Sequence, residues 1–413
     1  MAWQNKRYGT VDDPVHKSHL NELTGEYGCP RRFKYQRDLE AEVAANPNAA
    51  ERKPSVNGHL ACGTAAHETI ARALNNPRVR DHLLRVPGAT MEELSTKDQL
   101  ESRVRATFSH ELRVAADGRD IDWGDETPEK MISSRVDMIV GTLGTLCKYV
   151  RKVLAVEPGF VVELDGVYYS GHIDLIFEPA DTEPGTVGLA DWKSSKQKPD
   201  PIELAHGWEG GIYSAACEHG TFLPRECVRV ERSGDEWCGS VPLCTVTGDV
   251  VDALVTAPSR WQAERDALER ALMRVAQGDC SDKQYTLGKY PTRVYHVHMR
   301  DFVPYEKAGS KEAKRPEDLV YYGLEHPATV KYIKGHMRGP GWLPVELRAN
   351  DVARLAYRAR NVVGTVRMGR FFDLVREHCR RCPFKSDCLT GGYAPRGDDL
   401  VQLKTEMKKA GLI

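Results

Sequence analysis

The stretch 160–193 limits the fold of this chain more than any other, because charged residues interrupt its strand-like, apolar runs. FVVELDGVYYSGHIDLIF carries β-branched and aromatic residues on both sides of an Asp-Gly pair, which favours a tight hairpin turn. After the loop EPADTEPGT, the run VGLADWKSS predicts a third strand. Asp and Lys are poor strand formers and are costly to bury unless they are paired or bound to a metal. Asp174, Asp191 and Lys193 therefore indicate chemistry rather than packing.

Strand geometry predicts that these charged groups meet. Side chains two positions apart on a strand share a face, so Asp191 and Lys193 point together while Trp192 points into the opposite layer. If the hairpin strand with Asp174 pairs alongside, two carboxylates and an ammonium lie within about 5 Å. Carboxylates that close repel unless a cation separates them, and oxygen ligands suit Mg²⁺ or Mn²⁺. The alternative is an incidental acid and base on a surface strand, or a structural salt bridge.

Helical patterns surround this segment. GTAAHETIARALNN predicts a helix capped by Thr64, with His67 on the face of Ile70 and Leu74. Residues 90–155 are predicted to be mostly helical. Beyond the strands, PIELAHGWEGGIYSAA suggests a helix weakened by its Gly pair, and VRVERSGDEWCGSVPLCTV a hairpin. A helix over DALVTAPSRWQAERDALERALMRVAQG, a strand over TRVYHVHMRDF and a helix at ARLAYRARNVV follow, with an exposed basic loop at EKAGSKEAKRPED.

Composition narrows the classes of function. The chain has 413 residues and a formal net charge of −1, so any surface that attracts nucleic acid must be local. We find no apolar leader and no run long enough to span a bilayer, so we expect a cytoplasmic protein without membrane partners. The sequence lacks the Gly-x4-Gly-Lys-Ser/Thr phosphate loop of an ATP-driven helicase, so any unwinding would need a partner. His296 and His298 could be two metal ligands on one strand face, but without a nearby third ligand pattern we interpret them as core or surface histidines.

The cysteines indicate a ligand site rather than disulfides, since the chain has an odd number of them, 11. Cys379-x2-Cys382-x5-Cys388 places three thiols within ten residues, one short of a closed four-thiolate site. Cys29, in GCPRRFKY, is the candidate for the fourth ligand, and Cys62 is a rival without that basic context. Iron–sulfur and zinc both fit four thiolates. The remaining cysteines are interpreted as small buried hydrophobic residues.

Taken in order, a helical histidine, an acid, Gly-x-x-Asp, Asp-x-Lys and a helical tyrosine resemble the RecB-type PD-(D/E)XK nucleases. The resemblance is strongest to the AddB nuclease domain and to CRISPR-associated RecB-like exonucleases. It implies metal ligands at His67, Asp174, Asp191 and the main-chain carbonyl of Trp192, a catalytic Lys193, and site roles for Glu157 and Tyr213. Glu209 stands four residues before the tyrosine, where the motif of these families has glutamine. The alternative is that Trp208 and Tyr213 are core aromatics.

The same families pair an N-terminal Cys-Pro with a C-terminal Cys-x2-Cys-x5-Cys around a 4Fe-4S cluster. The resemblance therefore implies a cluster held by Cys29, Cys379, Cys382 and Cys388, with zinc as the alternative. Basic residues next to both halves would then form one phosphate-gripping patch. They are Arg31, Arg32, Lys34, Arg380, Arg381 and Lys385.

The expected architecture is an α/β PD-(D/E)XK, restriction-endonuclease-like core with a mixed central sheet, flanking helices, an inserted helical segment and an iron–sulfur lobe. The expected function is Mg²⁺- or Mn²⁺-dependent hydrolysis of DNA by an exonuclease acting on single strands or ends, alongside a helicase or recombination partner. One alternative is a catalytically silent DNA-binding or assembly subunit; another is a sequence-specific restriction or junction endonuclease. The predicted segments are 1–60 (cluster cysteine), 61–155 (helical, first metal ligand), 156–217 (nuclease core), 218–375 (unassigned α/β extension) and 376–413 (iron–sulfur).

Overall fold

The fold was analysed in a computed structural model of the whole chain, which describes most of its residues. The described ranges are 7–24, 29–45, 56–89, 91, 94, 96–116, 120–195, 207–234, 236–245, 247–257, 260–280, 292–302, 342–345 and 349–369. Among these residues, no helix is both long enough and apolar enough to cross a membrane.

The described α-helices account for most of the first third of the chain and recur between the later strands. They are α1 Lys17–Thr24, α2 Pro30–Ala45, α3 Gly58–Asn75, α4 Pro77–Leu83, α5 Lys97–Ala116, α6 Pro128–Gly144, α7 Leu146–Tyr149, α8 Trp208–His219, α9 Arg260–Ala276 and α10 Ala349–Arg367.

The described strands form two larger sheets and two smaller ones. They are β1 Val15–His16, β2 Val56–Asn57, β3 Ile121–Asp122, β4 Val150–Val156, β5 Gly159–Leu164, β6 Val167–His172, β7 Leu175–Pro179, β8 Val187–Lys193, β9 Thr221–Leu223, β10 Arg229–Ser233, β11 Glu236–Cys244, β12 Val250–Ala257, β13 Thr292–His298 and β14 Trp342–Val345. The sheet orders are β14-β13-β8-β7-β4, β1-β6-β5-β9, β10-β11-β12 and β2-β3.

The five-stranded sheet is the mixed central sheet that the sequence predicts. Its strands β8 and β13 run parallel, while the other neighbouring pairs run antiparallel. Apolar side chains of α3, α5 and α6 form one continuous core with the sheet, including the fully buried Trp192 and Phe177. The α/β class is therefore confirmed.

The four-stranded sheet contains the predicted hairpin. Strands β5 and β6 pair antiparallel, and the turn residues Asp165 and Gly166 have φ of 55° and 75°. Two successive positive φ values describe a turn that follows the twist of the strands, which is why Asp-Gly is favoured there. The chain then leaves this sheet at His172 and enters the five-stranded sheet at Leu175. Asp174 thus lies in the crossing between two sheets and not, as we expected, in the hairpin strand.

Three local predictions differ from the structure at a boundary, although 90–155 is mostly helical as predicted. Helix α3 begins at Gly58, where the side chain of Asn57 accepts hydrogen bonds from the amides of His59 and Leu60; Thr64 lies inside the helix. Residues 150–156 form β4 rather than a helical continuation, since they pair with β7. Residues 250–257 form β12 beside β11, so the predicted helix begins later, at the start of α9.

The Gly pair in α8 does not break the helix. A Cβ at Gly211 would lie 2.5 Å from Cδ1 of Leu355 on α10, so a side chain at this position would collide with the neighbouring helix. The cost of glycine in a helix, roughly 1 kcal/mol relative to alanine, is offset here by close helix packing. Gly211 is therefore a packing feature.

Two compact units divide the chain, each with its own contacts. One comprises 1–8, 18–52 and 361–413, and its described part clusters the rings of Tyr8, His19 and Phe33. The other comprises 9–17 and 53–360 and holds all the sheets. Within it, α9 packs on the β10-β11-β12 sheet through a second apolar core.

A partly buried carboxylate joins α9 to the four-stranded sheet. Glu269 accepts hydrogen bonds from Nε2 of His16 on β1 (2.9 Å) and from Oγ of Ser170 on β6 (3.0 Å). Burial alone would raise the pKa of Glu269, but the charge and hydrogen bond of His16 and the hydrogen bond of Ser170 outweigh it and lower the pKa to about 2. The ionised carboxylate is therefore more stable in the folded chain than in the unfolded chain.

We expect Glu269→Gln to lower the free energy of unfolding at about pH 7 by about 3 kcal/mol, the linkage value for this pKa shift. Because the folded pKa is depressed, this stabilisation is complete above the unfolded pKa and is lost as the pH falls toward 2. Urea unfolding at about pH 7 and about pH 3 should show the difference between wild type and variant shrinking. Glu231→Gln, on the exposed face of β10, is the control; an equal difference at both pH values would contradict the linkage.

Candidate active site

Three groups that can bind a metal meet where α3 faces the edge of the two larger sheets. His67 extends from α3, Glu157 lies in the turn between β4 and β5, and Asp174 lies in the crossing between β6 and β7. Nδ1 of His67 is 3.1 Å from Oδ1 of Asp174 and 4.0 Å from Oε1 of Glu157. One ligand atom from each lies within 4.8 Å of the others, a spacing that a single cation can bridge.

The backbone holds Glu157 and Asp174 side by side. Glu157 has a φ of 49°, a left-handed conformation that is uncommon for a residue other than glycine. Its amide donates a hydrogen bond to the carbonyl of Asp174 (3.1 Å), and the amide of Ile173 donates to the carbonyl of Pro158 (3.2 Å). The strained turn thus aims an acid at the crossing, as strained residues at functional sites often do.

The Asp-x-Lys strand fixes the second oxygen of Asp174. The main-chain amide of Trp192 donates a 2.6 Å hydrogen bond to Oδ2 of Asp174, while Oδ1 faces His67. We expected the main-chain carbonyl of Trp192 to bind the metal. In the structure, the main-chain amide of the same residue binds the carboxylate of Asp174. The Trp192 ring is buried, as the strand alternation predicts, and packs edge-on against Trp342 of β14 in the same sheet.

The charges of His67, Glu157 and Asp174 favour a bound cation. Burial, together with the negative charge of Asp174, raises the pKa of Glu157 to about 8. Burial would lower the pKa of His67, but Asp174 and Glu157 outweigh it and raise the pKa to about 9. Oε1 of Glu157 is buried and has no hydrogen-bond partner among the described residues. Two carboxylates, one of them with an unsatisfied oxygen, and an imidazole fit a divalent cation such as Mn²⁺ or Mg²⁺.

Lys193 lies in a second group beside the first. Its Nζ is 2.6 Å from Oδ2 of Asp191 and 2.9 Å from Oε1 of Glu209, so two carboxylates hold the ammonium. Glu209, on α8, stands where the family motif has glutamine, and it acts here as an ion-pair partner of the lysine. The hydroxyl of Tyr213 donates to the carbonyl of His172 (3.3 Å) and lies 3.5 Å from Oδ1 of Asp191.

Sequence reasoning missed His296. Strand β13 runs parallel to β8 with His296 opposite Asp191 and His298 opposite Lys193. One ligand atom each of Asp191, Glu209 and His296 lies within a common 4.8 Å. The alternating His-x-His pattern was the available signal, but only the pairing of β13 with β8 brings it to the site. We predicted that Asp191 and His67 bind the same metal. In the structure, the carboxylate of Asp191 belongs to this second group, whereas His67 belongs to the first.

Four of the predicted cluster and basic-patch residues are described by the structure. Cys29, Arg31, Arg32 and Lys34 belong to the other compact unit, where Cys29 precedes α2. There the guanidinium of Arg31 lies 5.9 Å from the ring centre of Tyr35. The other predicted members lie outside the described residues; they are Cys379, Arg380, Arg381, Cys382, Lys385 and Cys388.

The geometry agrees with the comparison to known families. Residues 21–290, about two thirds of the chain, match the family model of the PD-(D/E)XK nuclease superfamily. This range contains His67, Glu157, Asp174, Asp191 and Lys193. No curated protein matches the chain. Membership implies a nuclease that uses divalent metal and acts on DNA. The chain belongs to the PD-(D/E)XK nuclease superfamily.

Proposed function

We propose that this chain is a Mg²⁺- or Mn²⁺-dependent deoxyribonuclease that degrades DNA from single strands or ends. One observation carries the proposal, namely that a His67–Glu157–Asp174 group adjoins an Asp191–Lys193 ion pair through the Trp192 amide. A structural salt bridge would not require an unsatisfied buried carboxylate oxygen beside it. A cation bound at the first group would polarise a phosphoryl oxygen and make water a better nucleophile.

The side chains of the site have separate proposed roles. His67, Glu157 and Asp174 would hold the cation, and the Trp192 amide keeps the Asp174 carboxylate turned toward it. Lys193, kept charged by Asp191 and Glu209, would donate hydrogen bonds to a phosphate oxygen where negative charge develops. Tyr213 would orient the lysine through its contact with Asp191. His296, next to Asp191, would limit the orientations open to that carboxylate.

The direct test is cleavage of labelled single-stranded, linear and circular DNA by the purified full chain with Mn²⁺ or Mg²⁺. We expect nucleotides or short products from single strands and linear ends, and intact circles. Cleavage of circles at fixed positions would instead indicate a restriction or junction endonuclease. Binding of DNA without cleavage under any metal condition would favour the catalytically silent subunit. A helicase or recombination partner would then be sought by its effect on double-stranded ends.

We further propose a 4Fe-4S cluster held by Cys29, Cys379, Cys382 and Cys388. The support is the pairing of a Cys-Pro-Arg-Arg segment with Cys-x2-Cys-x5-Cys, a thiolate set that suits iron clusters. We expect brown protein with broad absorbance near roughly 400 nm and roughly four irons per chain, both lost in Cys29→Ser. Cys244→Ser, on β11, is the matched control. Colourless protein carrying one zinc would overturn the cluster without affecting the nuclease proposal.

A further inference from the structure

Cationic side chains converge on the backbone immediately after the Asp-x-Lys strand. Nη1 of Arg135, on α6, donates a 2.7 Å hydrogen bond to the carbonyl of Ser194, and Nε of Arg300 donates to the same oxygen at 3.3 Å. Nε2 of His298 lies 3.1 Å from the carbonyl of Ser195. Two guanidinium groups therefore share one carbonyl oxygen. Like charges this close repel unless negative charge accompanies them.

Arg135 is only weakly compensated within the described part of the chain, because burial and the charge of Arg300 lower its pKa and the negative charge of Glu126 offsets only part of that effect. It is 5% exposed, its Nε is buried without a hydrogen-bond partner, and no described carboxylate forms an ion pair with it. Arg225, a partly buried arginine of the same unit, is different, since Glu68 and Glu264 each accept two hydrogen bonds from it. Burying an unpaired charge is costly, so a purely structural arginine should resemble Arg225.

The position of the pair relates it to the proposed nuclease site. His298 pairs with Lys193 on the parallel strand β8, so β8 and β13 end at the same edge of the sheet. Arg300 comes two residues after His298 and therefore lies at the edge that carries Lys193. An anion bound there would be the neighbour, along a polynucleotide, of a phosphate held at Lys193. Arginine suits this role since its planar fork binds two oxygens of one phosphate.

We propose that Arg135 and Arg300 form an anion subsite that binds a non-scissile phosphate of the nucleic acid strand. This inference rests on the proposed function and adds a substrate contact to it. Arg300 is the more exposed of the two and would contact the phosphate directly, whereas Arg135 supplies charge from behind. The pair would then set the position of the strand relative to Lys193.

The test measures binding apart from chemistry. A short fluorescein-labelled single-stranded oligonucleotide is titrated with full-length protein by anisotropy, with Ca²⁺ replacing Mg²⁺, over a series of KCl concentrations. We expect Arg300→Gln to weaken binding roughly tenfold and to reduce the slope of log K against log[salt] by about one phosphate contact. Arg270→Gln is the matched control, because Arg270 also donates to a carbonyl, that of Leu254 (2.6 Å), but on the far element α9.

Each outcome decides the inference. A reduced slope in Arg300→Gln, largely restored in Arg300→Lys, supports a phosphate contact, because lysine keeps the charge. An unchanged slope with a lower unfolding midpoint means that the arginines only hold the Ser194 carbonyl, and it overturns the proposal. Arg135→Gln should reduce the slope in the same direction, because it removes positive charge from behind Arg300, and a wild-type slope in folded Arg135→Gln protein would remove Arg135 from the subsite. Should wild type fail to bind the oligonucleotide at all, the proposed function itself fails, which is a distinguishable result.

Discussion

Lys193→Met is expected to lower kcat for DNA cleavage by about 10²- to 10⁴-fold while leaving the affinity for DNA within a few-fold. The reason is geometric. Nζ of Lys193 is held at 2.6 Å and 2.9 Å from carboxylates of Asp191 and Glu209, so it is a preorganised, charged donor. Such donors stabilise charge that develops in the transition state and contribute little to ground-state binding. Methionine keeps the unbranched stem and removes the charge.

The effect of Lys193→Met separates catalysis from stability. Single-turnover cleavage of a labelled strand gives the rate, and anisotropy with Ca²⁺ gives the affinity. Lys148→Met, at an exposed lysine of α7 whose ammonium lies over the ring of Tyr149, is the matched control and should cleave like wild type. If Lys193→Met cleaved at the wild-type rate with a lower unfolding midpoint, the ion pair would be structural and the mechanism would be wrong. Loss of DNA binding in this variant alone would instead make the lysine a substrate anchor.

Local sequence signals predicted the strands of this site well. The Asp-Gly turn at 165–166 and the largely apolar run at 187–193 are local properties, and the structure confirms the hairpin and a strand that is buried on both faces. The helical spacing of His67, Ile70 and Leu74 likewise puts one face of α3 toward the interior, where Ile70 and Leu74 are fully buried. These patterns succeed because burial on one face imposes a period that neighbouring residues must share.

What the sequence could not predict depends on pairings between distant segments. His296 reaches the site only because β13 joins β8 across roughly a hundred residues of chain, a register that no local pattern specifies. The crossing at Asp174 and the left-handed backbone of Glu157 are likewise consequences of two sheets meeting. Glu209 departs from the motif, and its role as an ion-pair partner follows only from the structure, in which Lys193 lies between the carboxylates of Asp191 and Glu209. This half of the site is therefore determined by how distant strands pair and not by local secondary-structure propensity.

The Asp174→Asn variant should lose at least about 100-fold in affinity for Mn²⁺. Replacing even an outer partner of a metal ligand typically costs 10- to 100-fold, so removing a carboxylate within the ligand group should reach the upper end of that range. Asparagine keeps the shape and can still accept the hydrogen bond from the Trp192 amide. Calorimetric titration of the full chain with Mn²⁺ measures the loss. Asp252→Asn, on the exposed face of β12, should bind Mn²⁺ as wild type does.

The same variant should change the titration of His67. In the metal-free wild type the imidazole is protonated below a pKa of about 9, because Asp174 and Glu157 outweigh the effect of burial. A cation must displace that proton, so wild-type affinity for Mn²⁺ should rise with pH until about 9. In Asp174→Asn the largest favourable charge is gone while burial remains, so the pKa of His67 should fall and the pH dependence should flatten. NMR titration of the imidazole measures the shift directly. An unchanged pKa together with unchanged Mn²⁺ affinity would show that these side chains do not share a cation.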